Sequence, residues 1–370
     1  MTEEIIVSEQ AEEPVPSAEI QEHSARLTSV RTFQLLAVGL LIVLIGLIVT
    51  LLLYLARTGG FVTRGGEPVA GLAPVIVIEG PGRGENPEFR RPMDAAFGRN
   101  GRIYVSDTEN NRVAVFSSGG RFIFEFGGFG LTKPLPGYDA TWQEGLMNSP
   151  LGIEVDDNGD VYVADFRNDQ IQVFDAQGEF LRRFPDPTQV VGRGSSGQDG
   201  TGIAVTDIAL WGDLVYALDS YQVVVFTKSG EFVRQFGRPG TGPGELDRPN
   251  GIAVMPDSTV VVADSNNSRV QAFTLDGVFQ WETGMLGGTE YEFGLPRGVA
   301  VLGDDTIAVV DAFEFAIVLL EADGTVIGDY GSRGVSPAQL NFPNGIDAEG
   351  DLLLVADKEN NRVQVLRVER

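Results

Sequence analysis

Residues 103–116 read IYVSDTENNRVAVF, and the phrase returns as VVVADSNNSRVQAF at 260–273 and as LLVADKENNRVQVL at 353–366. Each copy is a run of β-branched and aromatic residues that stops at an aspartate, turns through a short polar stretch and restarts at an arginine. That is the pattern of two antiparallel strands joined by a tight turn. Weaker copies lie between these three. Strand-ending aspartates, Asp107, Asp165, Asp219, Asp264, Asp311 and Asp357, mark six units at intervals of 58, 54, 45, 47 and 46 residues. Self-similarity at such periods signifies an array of small units, each burying its faces against its neighbours.

Working outward from residues 260–273, one unit holds four alternating runs, at 251–254, 260–263, 269–273 and 278–281, separated by turn residues. Four antiparallel strands per unit make one blade, and six units make a ring, so the expected fold class is an all-β, six-bladed β-propeller. The last unit has three runs, because the chain stops at Arg370 soon after 362–366. Residues 75–79, VIVIE, lead into GPGRGENPEFRRPMD, which parallels FGRPGTGPGELDRPNG at 236–251 after the outer strand of blade four. The first strand is therefore expected to complete the last blade and close the ring, removing an exposed edge.

These residues resemble the NHL-repeat family. The resemblance rests on the Pro-x-Gly-Ile of 249–252, the Val-Ala-Asp strand end, the Asn-Asn-Arg turn and the Phe-Gly exit at Phe236 and Gly237, over 73–370. It implies the propeller. The sequence also looks like the NHL propeller lyase that cleaves peptidyl-hydroxyglycine, whose zinc is held by histidines, yet the single histidine here is His23, outside the repeats. Ser-His-Asp triads, His-based acid-base pairs and His-liganded zinc are thereby excluded from the ring, and the absence of cysteine excludes thiolate chemistry.

The run at 35–56, LLAVGLLIVLIGLIVTLLLYLA, carries no charge and is long enough to span a bilayer as a helix. The expected organisation is an acidic disordered tail at 1–33, a single transmembrane helix at 34–56, a flexible linker at 57–72 and the propeller at 73–370. Arg26 and Arg31 on one side are matched by Arg57 and Arg64 on the other, so the positive-inside rule leaves orientation undecided. The short leading tail and large following domain fit a signal anchor with an exported, extracytoplasmic propeller. The formal charge of −25 argues against nucleic acid, as in the RNA-binding members of the resembling family, because phosphate affinity comes from clustered Lys and Arg.

Residues just before each inner strand converge on the mouth of the central channel: Asp94, Leu151, Asp207, Asn250, Arg297 and Asn344. A mixed polar ring suits a small ligand or a peptide end, and Phe129, Tyr138 and Trp142 in the first long insertion add apolar contact. The bland alternative is a solvated funnel with the loop aromatics packed on the body. The candidate ligand- and partner-binding residues are Asp94, Asp207, Asn250, Arg297, Asn344, Tyr138 and Trp142, with no cofactor expected. The marker aspartates with Arg112, Arg269 and Arg362 read as structural braces, and the clusters at Asp156, Asp157, Asp160 and at Asp304, Asp305 as turn chemistry.

Two functions follow as expectations. One is a membrane-anchored binding, sensor or scaffold module for a protein, peptide or glycan partner on the face opposite the bilayer, similar to the anchored sensor propellers of certain bacterial receptor kinases without the kinase. The other is a calcium-dependent lactonase- or lyase-like enzyme, with Asp94 and Asp207 as charged ligands and Asn250 and Asn344 as neutral ones.

Overall fold

The structure is a computed structural model of the 370-residue chain, and it describes residues 71–82, 88–132, 143–185, 203–284 and 291–369. All of these fall within the compact unit Gly66–Arg370. They form six four-stranded antiparallel sheets. The innermost strands, in blade order, are Asp94–Gly98, Pro150–Val155, Ile208–Trp211, Gly251–Val254, Pro296–Val301 and Ile346–Glu349.

The core is divided into six apolar layers, one at each seam between blades. At the seam between blades two and three, Tyr162 and Ile171 pack with Val215 and Phe226, all fully buried. At the seam between blades six and one, Leu354 and Val363 meet Val105, Phe116 and Ile78. Each blade is buried on both faces, which is why its middle strands read as continuous Val, Ile, Leu and Ala rather than as an alternation.

Ring closure follows the sequence reading. Leu72–Ile78 is the outer strand of blade six, antiparallel to Arg362–Val368, with Ile78 opposite Val363 and Leu72 opposite Val368. The register slips by one residue between Pro74 and Ile76. The same one-residue bulge interrupts the outer strand of every other blade at the equivalent place, at Val115/Phe116 in blade one and Ala272/Phe273 in blade four, for example. The strand supplied from the other end of the propeller thus reproduces the twist of a native fourth strand. Its side chains also do a fourth strand's packing: a Cβ on Gly120 (φ +75°) would stand 2.9 Å from Ile76 Cγ2, as one on Gly178 would stand 2.7 Å from Phe126 Cδ1.

The expected fold class needs one correction. Among the described residues the elements are strands and short 3-10 turns, and no helix is long and apolar enough to cross a membrane. The expected transmembrane helix at 34–56, with the tail before it and all but the last two residues of the linker after it, lies outside the described residues.

Candidate functional site

Each marker aspartate is a buried junction. In blade four, Asp264 accepts hydrogen bonds from the backbone N–H of Asp247 (2.7 Å), Asn267 Nδ2 (2.8 Å), Arg269 Nε (2.8 Å) and Gln271 Nε2 (3.1 Å). Arg269, itself fully buried, reaches on to Glu282 (2.8 Å) and to the carbonyls of Thr241, Gly242 and Glu245. Asp107–Arg112 and Asp357–Arg362 repeat the pair at 2.7 Å. The Asn-Asn turn has a use for each member: Asn110 and Asn360 donate to the marker aspartate, while Asn111 and Asn361 accept the N–H of Ser149 and Arg91 at the start of the next blade. In blade five Ala316 replaces the arginine, and Asp311 is closed by four backbone N–H groups instead. Burial pushes Asp165, whose partners are neutral, up to about 6. These groups are braces, as their spacing suggested.

Two further polar centres lie among the described residues. The first is the central channel, a cavity of about 160 Å³ into which Asp94, Glu154, Asp207 and Asp347 project. Asp94 pairs opposite Ser106, just as Gly251 pairs opposite Ala263. Asp94 and Asp207 therefore occupy the position that is Gly152, Gly251, Gly298 and Gly345 in the other blades, one step deeper than the mouth ring expected of them. The glycines make room for them: a Cβ on Gly152 would lie 2.6 Å from Asp207 Oδ1, and one on Gly345 would overlap Asp94 Oδ1.

Three of the four carboxylates stitch neighbouring inner strands. Asp94 Oδ2 accepts the N–H of Ile153 (2.9 Å), Asp207 Oδ2 that of Ile252 (3.0 Å) and Asp347 Oδ2 that of Phe97 (2.7 Å). Burial, reinforced by the charge of Asp207, holds Asp94 well above the usual carboxylate range. Glu154 is raised by burial and then by Asp347, Asp207 and Asp94. Burial carries Asp207 to about 7 and Asp347 to about 6. Such groups share protons near neutrality.

The second centre is a pocket of about 540 Å³ on the face that carries the turns between second and third strands. Blade two gives Arg167, blade three Tyr221, blade four Arg248, Asn250 and Asn266, and blade five Arg297. Arg297 is half-buried and donates from Nη1 to Asn250 Oδ1 at 2.6 Å. Its Nε is shielded from water and has no acceptor among the described residues. Burial depresses its pKa. Across the same face, at blades six and one, the cations are neutralised: Arg90 meets Glu109 at 3.4 Å, and Arg91 meets Glu359 at 2.6 Å and Glu109 at 3.6 Å.

The structure thus separates the expected binding residues. Asn250 and Arg297 line the mouth pocket, and Asp94 and Asp207 line the channel. Asn344 is buried and donates from Nδ2 to the Met93 carbonyl at 2.9 Å. Tyr138 and Trp142 lie outside the described residues, while Phe129 is half exposed. Asp94, Asp207, Asn250 and Asn344 do not converge as calcium ligands, and among the described residues no group of three or more His, Cys, Asp or Glu side chains could hold a metal ion. Glu154 and Asp347 were missed, yet a signal existed: they stand two residues after the glycine of GIEV and GIDA, where GIAV and GVAV have alanine. Arg167, Tyr221 and Arg248 had no such signal, because they sit in turns of separate blades.

Comparison with known proteins agrees with this architecture. The family model of the NHL repeat matches residues 89–116, 147–174 and 340–366, and a family model described as a 6-bladed beta-propeller matches 199–286. The chain is 30% identical over 129 residues to protein brain tumor of Drosophila melanogaster, covering 34% of this chain and 12% of that one. It is 29% identical over 138 residues to peptidylglycine alpha-amidating monooxygenase of Rattus norvegicus, covering 34% of this chain and 14% of the other. It therefore spans only a small part of the curated relatives it matches. Among solved structures, a Bacteroides thetaiotaomicron protein of unknown function superposes with TM-score 0.57 at 20% identity, covering 79% of this chain and 75% of that one. A gluconolactonase from Xanthomonas campestris gives 0.52 at 16%, covering 75% and 87%, and virginiamycin B lyase from Staphylococcus aureus with quinupristin gives 0.51 at 16%, covering 75% and 80%. Likeness at these identities concerns the fold alone.

Proposed function

For a chain that carries NHL repeats on a six-bladed β-propeller, we propose that the protein is a binding module that holds a polypeptide partner on its mouth face. The observation that carries this reading is the pocket shared by blades two to five, where Tyr221, Arg248 and Arg297 converge from three different blades around about 540 Å³. Tyrosine and arginine are the residues that most often dominate protein interfaces, since each offers a large contact area with a polar end. The channel serves binding less well. Three of its four carboxylates are committed to neighbouring strands, and substituting them would act on the ring as well as on a ligand.

A random dodecapeptide library selected on the immobilised chain tests the reading. Selected peptides should bind the Tyr221→Ala/Arg248→Ala variant at least about tenfold more weakly, the usual loss when two anchors of an interface are truncated. Unchanged binding by that variant would place the partner elsewhere.

A further inference from the structure

We propose that Arg297 is the anchor of a carboxylate subsite in the mouth pocket, so that the partner is held through an acidic side chain or a free C-terminus. The proposal rests on the reading of this face as the partner-binding face, and it names the chemistry recognised there.

Arg297 is a half-buried cation with no carboxylate paired to it among the described residues. Its one side-chain hydrogen bond among the described residues is to Asn250, a neutral acceptor. Its Nε is cut off from water and has no acceptor among the described residues. A buried donor left in this state is costly, and more so when the group is charged, a cost that an incoming anion relieves. The deficit is peculiar in this chain, where acids outnumber bases 52 to 27 and carboxylates are abundant.

The surroundings reinforce the sign of the charge. Arg167 and Arg248 line the same pocket, both exposed and both without an ion pair among the described residues, whereas a single carboxylate, Asp169, lies buried in its wall. Lys358 is close enough to Arg297 that its charge helps lower the lysine's pKa, behind the larger effect of burial, but Lys358 is itself occupied by Glu359 at 3.4 Å and by the Phe342 ring at 4.6 Å. Arg297 thus differs from these neighbours: Lys358 is paired, Arg167 and Arg248 are exposed to water, and Arg297 alone of the four has a water-shielded donor without an acceptor among the described residues. A guanidinium pinned at Nη1 is also oriented in advance, so less freedom is lost when a planar carboxylate pairs with it.

The test is calorimetric titration of the full chain with three N-acetylated pentapeptides at fixed ionic strength. Gly-Gly-Glu-Gly-Gly amide offers only a side-chain carboxylate, Gly-Gly-Ala-Gly-Gly with a free end offers only a terminal one, and the amide of the latter offers neither. At least one acidic peptide should saturate while the neutral one does not, and the stronger of the two identifies the source of the group. Arg297→Ala should weaken that binding roughly ten- to hundredfold, the worth of a charge-assisted hydrogen-bonded contact, and Arg297→Lys should restore only part of it. Asn250→Ala, which frees the guanidinium without removing its charge, should weaken binding less than Arg297→Ala and guards against misfolding of the latter. Equal binding of the neutral peptide, or indifference to Arg297→Ala in a variant of native melting temperature, overturns the proposal. Library peptides that need Tyr221 and Arg248 but ignore Arg297 would overturn the anchor and leave the partner face standing. Acidic pentapeptides that need Arg297, with no library peptide selected, would do the reverse.

Discussion

Removing Asp264 should damage the propeller through Arg269 more than through its own lost contacts. In Asp264→Ala a fully buried guanidinium keeps Glu282, whose side chain is 22% exposed, and three carbonyls, but loses the buried carboxylate 2.8 Å from its Nε. Breaking one side of a buried ion pair costs about 3–5 kcal/mol. The remaining glutamate argues for the lower part of that range, about 3–4 kcal/mol, or roughly 5–6 °C in melting temperature for a domain of this size. Arg269→Leu alone should cost a similar amount, because it strips donors from the carbonyls of Thr241, Gly242 and Glu245. The double variant leaves no unpaired charge at the fully buried junction, only the partly exposed Glu282 beside it, so its cost should fall short of the sum by about 2 kcal/mol. Blade five shows that a blade can dispense with the arginine when backbone N–H groups close the aspartate. Urea and thermal melts of the four proteins measure the cycle. A coupling below about 0.5 kcal/mol would mean that the two residues act independently, and the brace would then be an accident of spacing.

Two further outcomes follow from the same geometry. Deleting residues 73–80 removes the outer strand of blade six and the burial of Ile78, about 1.5–3 kcal/mol for that side chain alone, so the full chain should lose its cooperative melt or show it far lower, and an unchanged melt would refute the closure. Burial raises Asp165 and Asp347 to about 6 and Asp207 to about 7, all above an unfolded value near 3.9; the stability they contribute is complete below that value and is lost as pH rises through 6–7. Melting temperature should accordingly fall between pH 5 and 8, and Asp207→Asn/Asp347→Asn should flatten that fall; a variant with the parent's slope would show that the channel acids are ionised throughout.

Much of this architecture is legible before any coordinates. The six aspartates fix the blade count because each ends a strand and must be satisfied locally, so the chemistry repeats with the fold. The closing strand is legible because 75–79 and the connector after it copy the end of blade four. The level of Asp94 and Asp207 was not, since the blades that hold them lack the glycine that marks the inner strand, and the offset of one residue placed them at the mouth instead of in the channel. The mouth pocket was least legible of all. Arg167, Tyr221, Arg248 and Arg297 are separated by 27 to 54 residues, and only the angular order of the blades brings them around one cavity.

The two polar centres differ in how far they are free to change. A channel carboxylate accepts an N–H from the next blade's inner strand, so any replacement must also repair a seam of the ring. Arg167, Tyr221 and Arg248 stand outside the strands, and the position of Arg167 is taken by Glu109, Asn266, Phe313 and Glu359 in other blades without altering the strands that follow. Chemistry that varies freely on a constant scaffold is where recognition can be set, and the variation here is not random around the ring. Glutamates meet arginines at blades six and one, while arginines without ion pairs among the described residues gather at blades two, four and five. An acidic partner would consequently be drawn to one side of the mouth and repelled by the rest of a chain of charge −25, which favours one orientation of docking over the others.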